Sequence, residues 1–200
     1  MTRDAGMRAY YDRRAPEYDD WWHGTGRFAS RERPGWHEEV EALTGVLRAL
    51  EPAATLDVAC GTGFLTRHLP GAITAIDQSP AMVAVAAERL GSHAQVREAD
   101  ALALPFADGA FDRVHTGHFY GHLLVGERET FLAEARRVGR SLVITDSADT
   151  APREDWQTRI LDDGSTHQVY KRWFTGEALA AELGGGTVLH AGRWFVVVAA

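Results

Sequence analysis

Three carboxylates stand at the ends of three successive apolar runs: Asp57 inside the run 54–58, Asp77 after 72–76, and Asp100 after 94–99. The first run breaks into Gly61-Thr62-Gly63 and restarts with a helical pattern over 64–69. That order reads as strand, glycine-bearing turn and helix. Gly61 and Gly63 lack Cβ atoms, so the backbone there can lie against a ligand and take positive φ. A helix that follows would point its free N–H groups at the same place. A carboxylate at the strand end is poor company for a pyrophosphate and good company for an ammonium group. A dinucleotide turn reads G-x-G-x-x-G/A, whereas the third small position here is Thr66. Asp77, with Gln78 beside it, suits a ribose diol, because a carboxylate can accept from both hydroxyls. Asp100, followed by Ala101 and Leu102, can accept from the exocyclic amine of adenine.

A second constellation is the histidine group His115, His118 and His122 around the end of a fourth apolar run. His118 and His122 are four apart and share a face if this stretch is helical. An imidazole with an ordinary pKa of about 6.5 suits proton removal near neutral pH, so His118 and His122 are the candidate catalytic bases. His115 lies within the run and reads as structural. Two histidines and a carboxylate can hold zinc, but no H-E-x-x-H arrangement is present and no metal is expected.

An adenosine attached to a cation rather than to a phosphate describes S-adenosylmethionine, and the turn favours it over NAD. Leu56-Asp57-Val58-Ala59-Cys60-Gly61-Thr62-Gly63, Ile76-Asp77-Gln78-Ser79-Pro80-Ala81-Met82 and the stretch from Glu98 to Phe106 resemble the class I S-adenosylmethionine-dependent methyltransferase signature. Asp108-Gly109-Ala110-Phe111-Asp112-Arg113-Val114 fits it too, and the likeness covers about residues 5–145. The resemblance implies that Asp57, Ala59, Gly61 and Gly63 hold the methionine part, Asp77 the ribose, and Asp100, Ala101 and Leu102 the adenine. Gln78, Met82 and Thr116 complete the cofactor candidates, with core packing the equal alternative for Met82. Ala59 departs from the family's usual glycine by one methyl group. Tyr11, Asp12, Ala15, Tyr18 and Asp19 match a pattern that, in similar small methyltransferases, forms a lid over the methyl group. Tyr11 and Tyr18 are the rings expected to touch ligand.

The 200-residue chain is long enough for one full core, and its 45% hydrophobic and 24% charged residues are ordinary for a globular protein. A net charge of −7 without a long basic run disfavours a nucleic-acid partner. The single cysteine, Cys60, excludes an intramolecular disulfide and reads as a small packing residue. No run of 18 apolar residues and no apolar leader is present, so a cytoplasmic protein with no membrane partner is expected, as monomer or homodimer.

The elements that must position these groups alternate. An amphipathic helix is expected over 36–50, and another over 81–90 with Ser79 as its N-cap and Pro80 at its first position. Strands are expected over 111–116 and 141–145, a helix over 127–138, a last helix behind Thr175, and a closing strand pair over 187–190 and 194–198. Residues 147–174 are polar, with one extra strand at 168–174, and a solvated face is the default for Lys171. By resemblance this is an α/β three-layer Rossmann-like sandwich: a seven-stranded, mostly parallel sheet with an antiparallel last strand and an N-terminal helical lid. One domain spans 1–200, with residues 1–36 as lid and 147–174 as an acceptor-side insertion. The reading is methyl transfer from S-adenosylmethionine to an O, N or C atom of a small-molecule acceptor. The alternatives are a regulatory or assembly protein that binds S-adenosylmethionine without transfer, and an NAD-dependent oxidoreductase.

Overall fold

The computed structural model describes residues 3–200. The chain forms helices α1 (Arg3–Arg14), α2 (Asp20–His23) and α3 (Trp36–Arg48), and then strands β1 (Ala53–Val58) and β2 (Gly71–Asp77). Helix α4 (Pro80–Leu90) leads to β3 (Ala94–Glu98) and β4 (Arg113–Gly117), and α5 (Val125–Val138) leads to β5 (Leu142–Ser147). A hairpin of β6 (Arg153–Ile160) and β7 (Thr166–Trp173) follows, then α6 (Gly176–Glu182), β8 (Thr187–Ala191) and β9 (Phe195–Ala199).

Seven strands make one sheet in the order β3-β2-β1-β4-β5-β9-β8. All neighbouring pairs from β3 to β5 are parallel, and β9, the last strand, runs antiparallel to both β5 and β8. The central strands are buried on both faces, which is why they read as near-continuous apolar runs. On one face Leu56, Val58 and Ile144 pack with Phe131 of α5 and Leu179 of α6. On the other, Val143, Phe195 and Val197 pack with Leu43 and Leu47 of α3 and with Trp22 and Trp36. Strand order reverses between β1 and β4, and ligands of open α/β sheets bind at that switch point beyond the strands' carboxyl ends.

Local signals act as the sequence predicts at α4 and α6. Ser79 accepts from the Met82 amide at 3.2 Å, and Thr175 accepts from the Ala178 amide at 3.1 Å. Two elements differ. The expected helix at 64–69 is a single 3-10 turn, Thr66–His68. Its apolar residues Phe64, Leu65 and Leu69 are all buried in the core. The expected lone strand at 168–174 is one arm of a separate ribbon, in which β6 pairs antiparallel with β7 from Arg153↔Trp173 to Ile160↔Thr166. β6 is almost wholly exposed, so it carries no apolar alternation to announce it. Among the described residues no helix is long and apolar enough to cross a membrane.

Candidate active site

The cleft lies over the carboxyl ends of β1, β2 and β4. Ala59 and Gly61 from the first turn, Asp77 and Gln78 from the end of β2, and Asp100, Ala101 and Leu102 from the loop after β3 line one side. Tyr11 and Tyr18 from the N-terminal segment cover it, and His118 and His122 form the opposite wall. Ala59 and Gly61 both adopt left-handed backbone, with φ of 57° and 55°. That conformation turns the chain back sharply at the strand end. Glycine takes it freely, and Ala59 takes it with its Cβ in place.

Asp77 is built into the turn. Its Oδ2 accepts from the Gly61 amide and its Oδ1 from the Ser79 amide, each at 2.9 Å. Burial pushes its pKa up to about 6, against the two amides that lower it, and the neighbouring Asp57 and Asp12 charges raise it further. The carboxylate is therefore fixed in position, and its protonation changes within one unit of neutrality.

Asp57 differs from the expectation. Its Oδ2 accepts from Thr66 Oγ1 at 2.5 Å, and its Oδ1 lies 2.8 Å from His115 Nδ1. It faces a smaller cavity beneath Tyr18 and Trp22, beside the main cleft. The β1–β4 register sets Asp57 directly opposite His115, so the contact follows from strand pairing. Gly63 also serves the scaffold, since a Cβ there would come within 3.0 Å of Leu90 on α4. Met82 is fully buried and does not reach the cleft, so of its two readings the structure shows core packing. Thr116 is buried and donates to the Val58 carbonyl at 2.7 Å, tying β4 to β1 instead of facing a ligand. The Cys60 thiol is pushed up by burial and stays protonated.

Sequence reasoning missed how the N-terminal segment is held. Asp12 accepts from Ser79 Oγ at 2.6 Å, and Asp19 accepts from Thr62 Oγ1 at 2.6 Å and pairs with Arg89. The two acids of the N-terminal pattern thus pin α1 and α2 to the α4 cap and to the glycine turn. Tyr18 then rests on Gly61, whose missing Cβ would lie 3.5 Å from the ring. Burial pushes the Tyr18 phenol up to about 12, so it stays protonated near neutral pH.

The histidine wall is made by a turn, not by the helix that a shared face would need. His118 has φ of 55°, and His122 ends a 3-10 turn, Tyr120–His122. His118 Nδ1 lies 3.3 Å from Ser147 Oγ and 3.9 Å from Asp146, which favours a proton on Nδ1 and leaves the lone pair on Nε2. Nε2 is buried and has no hydrogen-bond partner. His122 Nδ1 donates to the Tyr170 carbonyl at 2.6 Å. Burial lowers the His118 pKa to about 3 and drives that of His122 well below its ordinary value, so both imidazoles are neutral near pH 7. Lys171 is not solvated. It is buried and bonded to Asp146 at 2.5 Å, while Asp146 also accepts from the Gly121 and Ser147 amides at 2.7 Å each. This buried network fixes the ends of β5, β7 and the histidine turn together.

A second cavity, a groove of about 890 Å³, opens beyond the cleft between the lid and the β6–β7 ribbon. Tyr11, Tyr18, His118 and His122 line both spaces, so these four side chains stand where the two meet. Among the described residues no group of three His, Cys, Asp or Glu could hold a metal ion.

The parallel sheet with its reversed order, closed by an antiparallel last strand, defines the class I methyltransferase fold. Residues 56–142 match the family model described as a methyltransferase domain. It is 41% identical over 105 residues to a demethylmenaquinone methyltransferase of Thermus thermophilus, an overlap covering 46% of this chain and 47% of that protein. It is 40% identical over 108 residues to a malonyl-[acyl-carrier protein] O-methyltransferase of Geobacter sulfurreducens, covering 50% and 40%. The chain thus spans less than half the length of these relatives. Among solved structures it is similar to the DhpI-SAM-HEP complex, with a TM-score of 0.79, 23% identity and coverage of 100% and 98%. It is also similar to the 1,6-didemethyltoxoflavin-N1-methyltransferase of Burkholderia thailandensis, with a TM-score of 0.64, 21% identity and coverage of 98% and 87%.

Proposed function

We propose that the protein transfers the methyl group of S-adenosylmethionine to an O, N or C atom of a small-molecule acceptor. The observation that carries this reading is the meeting of two cavities at Tyr11, Tyr18, His118 and His122. Methyl transfer needs a donor and an acceptor brought into line across one short gap, and two spaces that share one wall provide it. The donor side fits this cofactor. A carboxylate is fixed at the end of β2, the turn presents nearly bare backbone, and the single 3-10 turn behind it lacks the helix N-terminus that would receive a pyrophosphate. That last point argues against the NAD reading.

In this proposal Asp77 and Gln78 hold the ribose, Asp100, Ala101 and Leu102 frame the adenine, and Ala59 and Gly61 pass along the methionine part. Asp57, Gly63 and Thr116 shape the turn from behind. The cofactor supplies an electrophilic methyl group. His118 is neutral with its Nε2 lone pair uncommitted, but burial lowers its pKa to about 3, far from the 6.5 expected of a base near neutral pH. It takes the proton that a hydroxyl or amine acceptor loses only as that proton is released in the transfer, with the Asp146 charge offsetting part of the cost of the imidazolium. Residues 1–36 act as the lid, and the stretch 147–174 forms the acceptor side.

The test is calorimetric titration with S-adenosylmethionine, S-adenosylhomocysteine and NADH, repeated on Asp77→Ala, followed by an acceptor screen with labelled methyl groups. Micromolar adenosyl binding lost in the variant supports the donor site, and labelled product supports transfer. Preference for NADH overturns the donor assignment. Tight binding with no transfer to any acceptor favours the regulatory alternative.

A further inference from the structure

The chain has a net charge of −7, yet the groove is lined by Arg14, Arg31, Arg33, Arg153, Arg159, Lys171 and Arg193 against only two acids, Glu32 and Asp149. Three of these cations are accounted for. Arg153 pairs with Asp149 and Lys171 with Asp146, each at 2.5 Å, and Arg33 lies over the Trp36 ring at 3.8 Å and donates to the Trp21 carbonyl. Of the other four, Arg193 is exposed and lies over the Trp194 ring at 5.3 Å, and Arg14, Arg31 and Arg159 are not neutralised. Among the described residues no carboxylate lies within ion-pair distance of Arg14, Arg31 or Arg159. Arg14 donates to the Tyr10 hydroxyl at 2.7 Å and sits over the Tyr18 ring at 4.8 Å. Arg31 covers the Phe28 ring at 4.8 Å. Arg159 donates to Gln157 at 2.5 Å, while its Nε is buried with no partner at all.

These guanidiniums come from three separate elements: α1, the segment after α2, and β6. They stand close enough that the charges of Arg14 and Arg31 both act against that of Arg159. Like charges gathered in a partly dry groove are unfavourable unless an anion joins them. Arginine is also the side chain whose planar fork matches an oxyanion in two hydrogen bonds. Solvated surface arginines would not converge from the lid and the ribbon on one groove, nor bury a donor nitrogen without a partner.

We infer that the acceptor is a small acid whose oxyanion group, a carboxylate or a phosphate-type group, is held by Arg14, Arg31 and Arg159. This rests on the reading of the groove as the acceptor site. Because Arg14 belongs to the lid and Arg159 to the ribbon, an anion held by both ties the two walls together over the methyl-transfer gap. The site therefore selects acids over their neutral counterparts, and it orders the lid when the acceptor binds.

The test separates the two readings. The protein is first titrated with S-adenosylhomocysteine, which reports the donor site alone. The saturated protein is then titrated with inorganic phosphate and, separately, with malonate. Saturable binding of one of them is expected, weakened about tenfold or more in Arg159→Gln and again in Arg31→Gln, with S-adenosylhomocysteine affinity unchanged because neither residue lines the donor cleft. The preferred probe tells phosphate-type from carboxylate acceptors. A matched screen of acids and their amides should give labelled product only from the acids. No saturable binding of either anion, binding that survives both substitutions, or equal turnover of acids and amides overturns the inference. Failure of S-adenosylhomocysteine to bind overturns the donor reading instead, and the anion titrations still report on the arginines.

Discussion

At the scale of single residues, the turn after β1 carries a small strain. Ala59 holds φ of 57°, a conformation that disfavours any residue with a Cβ by about 1–2 kcal/mol. Ala59→Gly should therefore raise stability by up to about 1 kcal/mol, part of the relief being offset by the greater freedom of the unfolded chain, and denaturant unfolding will read it. Asp77 sets a pH dependence. Its pKa of about 6 means that the protein must lose a proton there to present a full carboxylate to a ribose. The dissociation constant for S-adenosylhomocysteine should rise as pH falls below about 6, by at most about tenfold per unit, and should flatten in Asp77→Asn. His118 sets a pH dependence of stability. Its folded pKa of about 3 lies below the ordinary 6.5, so between those values the unfolded chain binds more protons than the folded one. The stability that depends on a neutral His118 is complete above pH 6.5 and is lost as pH falls toward 3. Replacement by Asn should remove that acid sensitivity in thermal scans and lower kcat by about 100-fold or more if the acceptor carries a proton.

At the scale of elements, two polar devices join separate pieces of the fold. One is the pair Asp12 and Asp19, which fastens the N-terminal segment to the α4 cap and the glycine turn. Asp19→Ala removes a partner of both Thr62 and Arg89, and faster amide exchange in α1 and α2 is expected, with weaker S-adenosylhomocysteine binding, while β1 to β5 stay protected. The other is the buried Lys171–Asp146 pair between β7 and β5. Lys171→Met leaves the Asp146 carboxylate buried without its counter-charge, which should destabilise the protein by about 3–5 kcal/mol. A double variant with Asp146→Asn should recover part of that loss in the same unfolding assay, because the amide oxygen can still accept from the Gly121 amide.

At the scale of the whole molecule, the cleft and the groove, proposed as donor and acceptor sites, lie beyond the carboxyl ends of the strands and share one wall. Binding on the donor side should therefore stabilise the entire fold. At about 100 times its dissociation constant, S-adenosylhomocysteine adds about 2.7 kcal/mol, seen as a concentration-dependent rise in Tm. The local chemistry was legible along the chain: the runs that become β1, β2 and β4, the turn at Gly61, the caps Ser79 and Thr175, and the acids at the strand ends. Those features depend on neighbours a few residues away, so they are written in order along the chain. Which acids face the cleft depends on how the strands pair in space. Asp57 and Asp77 look alike in sequence, but the β1–β4 register turns Asp57 toward His115, while the left-handed turn aims its amide at Asp77. Lys171 meets Asp146 across 25 residues, and β6 exists because β7 pairs with it, not because its own pattern asks for a strand. Arg14, Arg31 and Arg159 lie far apart in the chain, and only folding brings them to one groove. Electrostatic contacts of that kind reward proximity in space, and no local spacing rule encodes it.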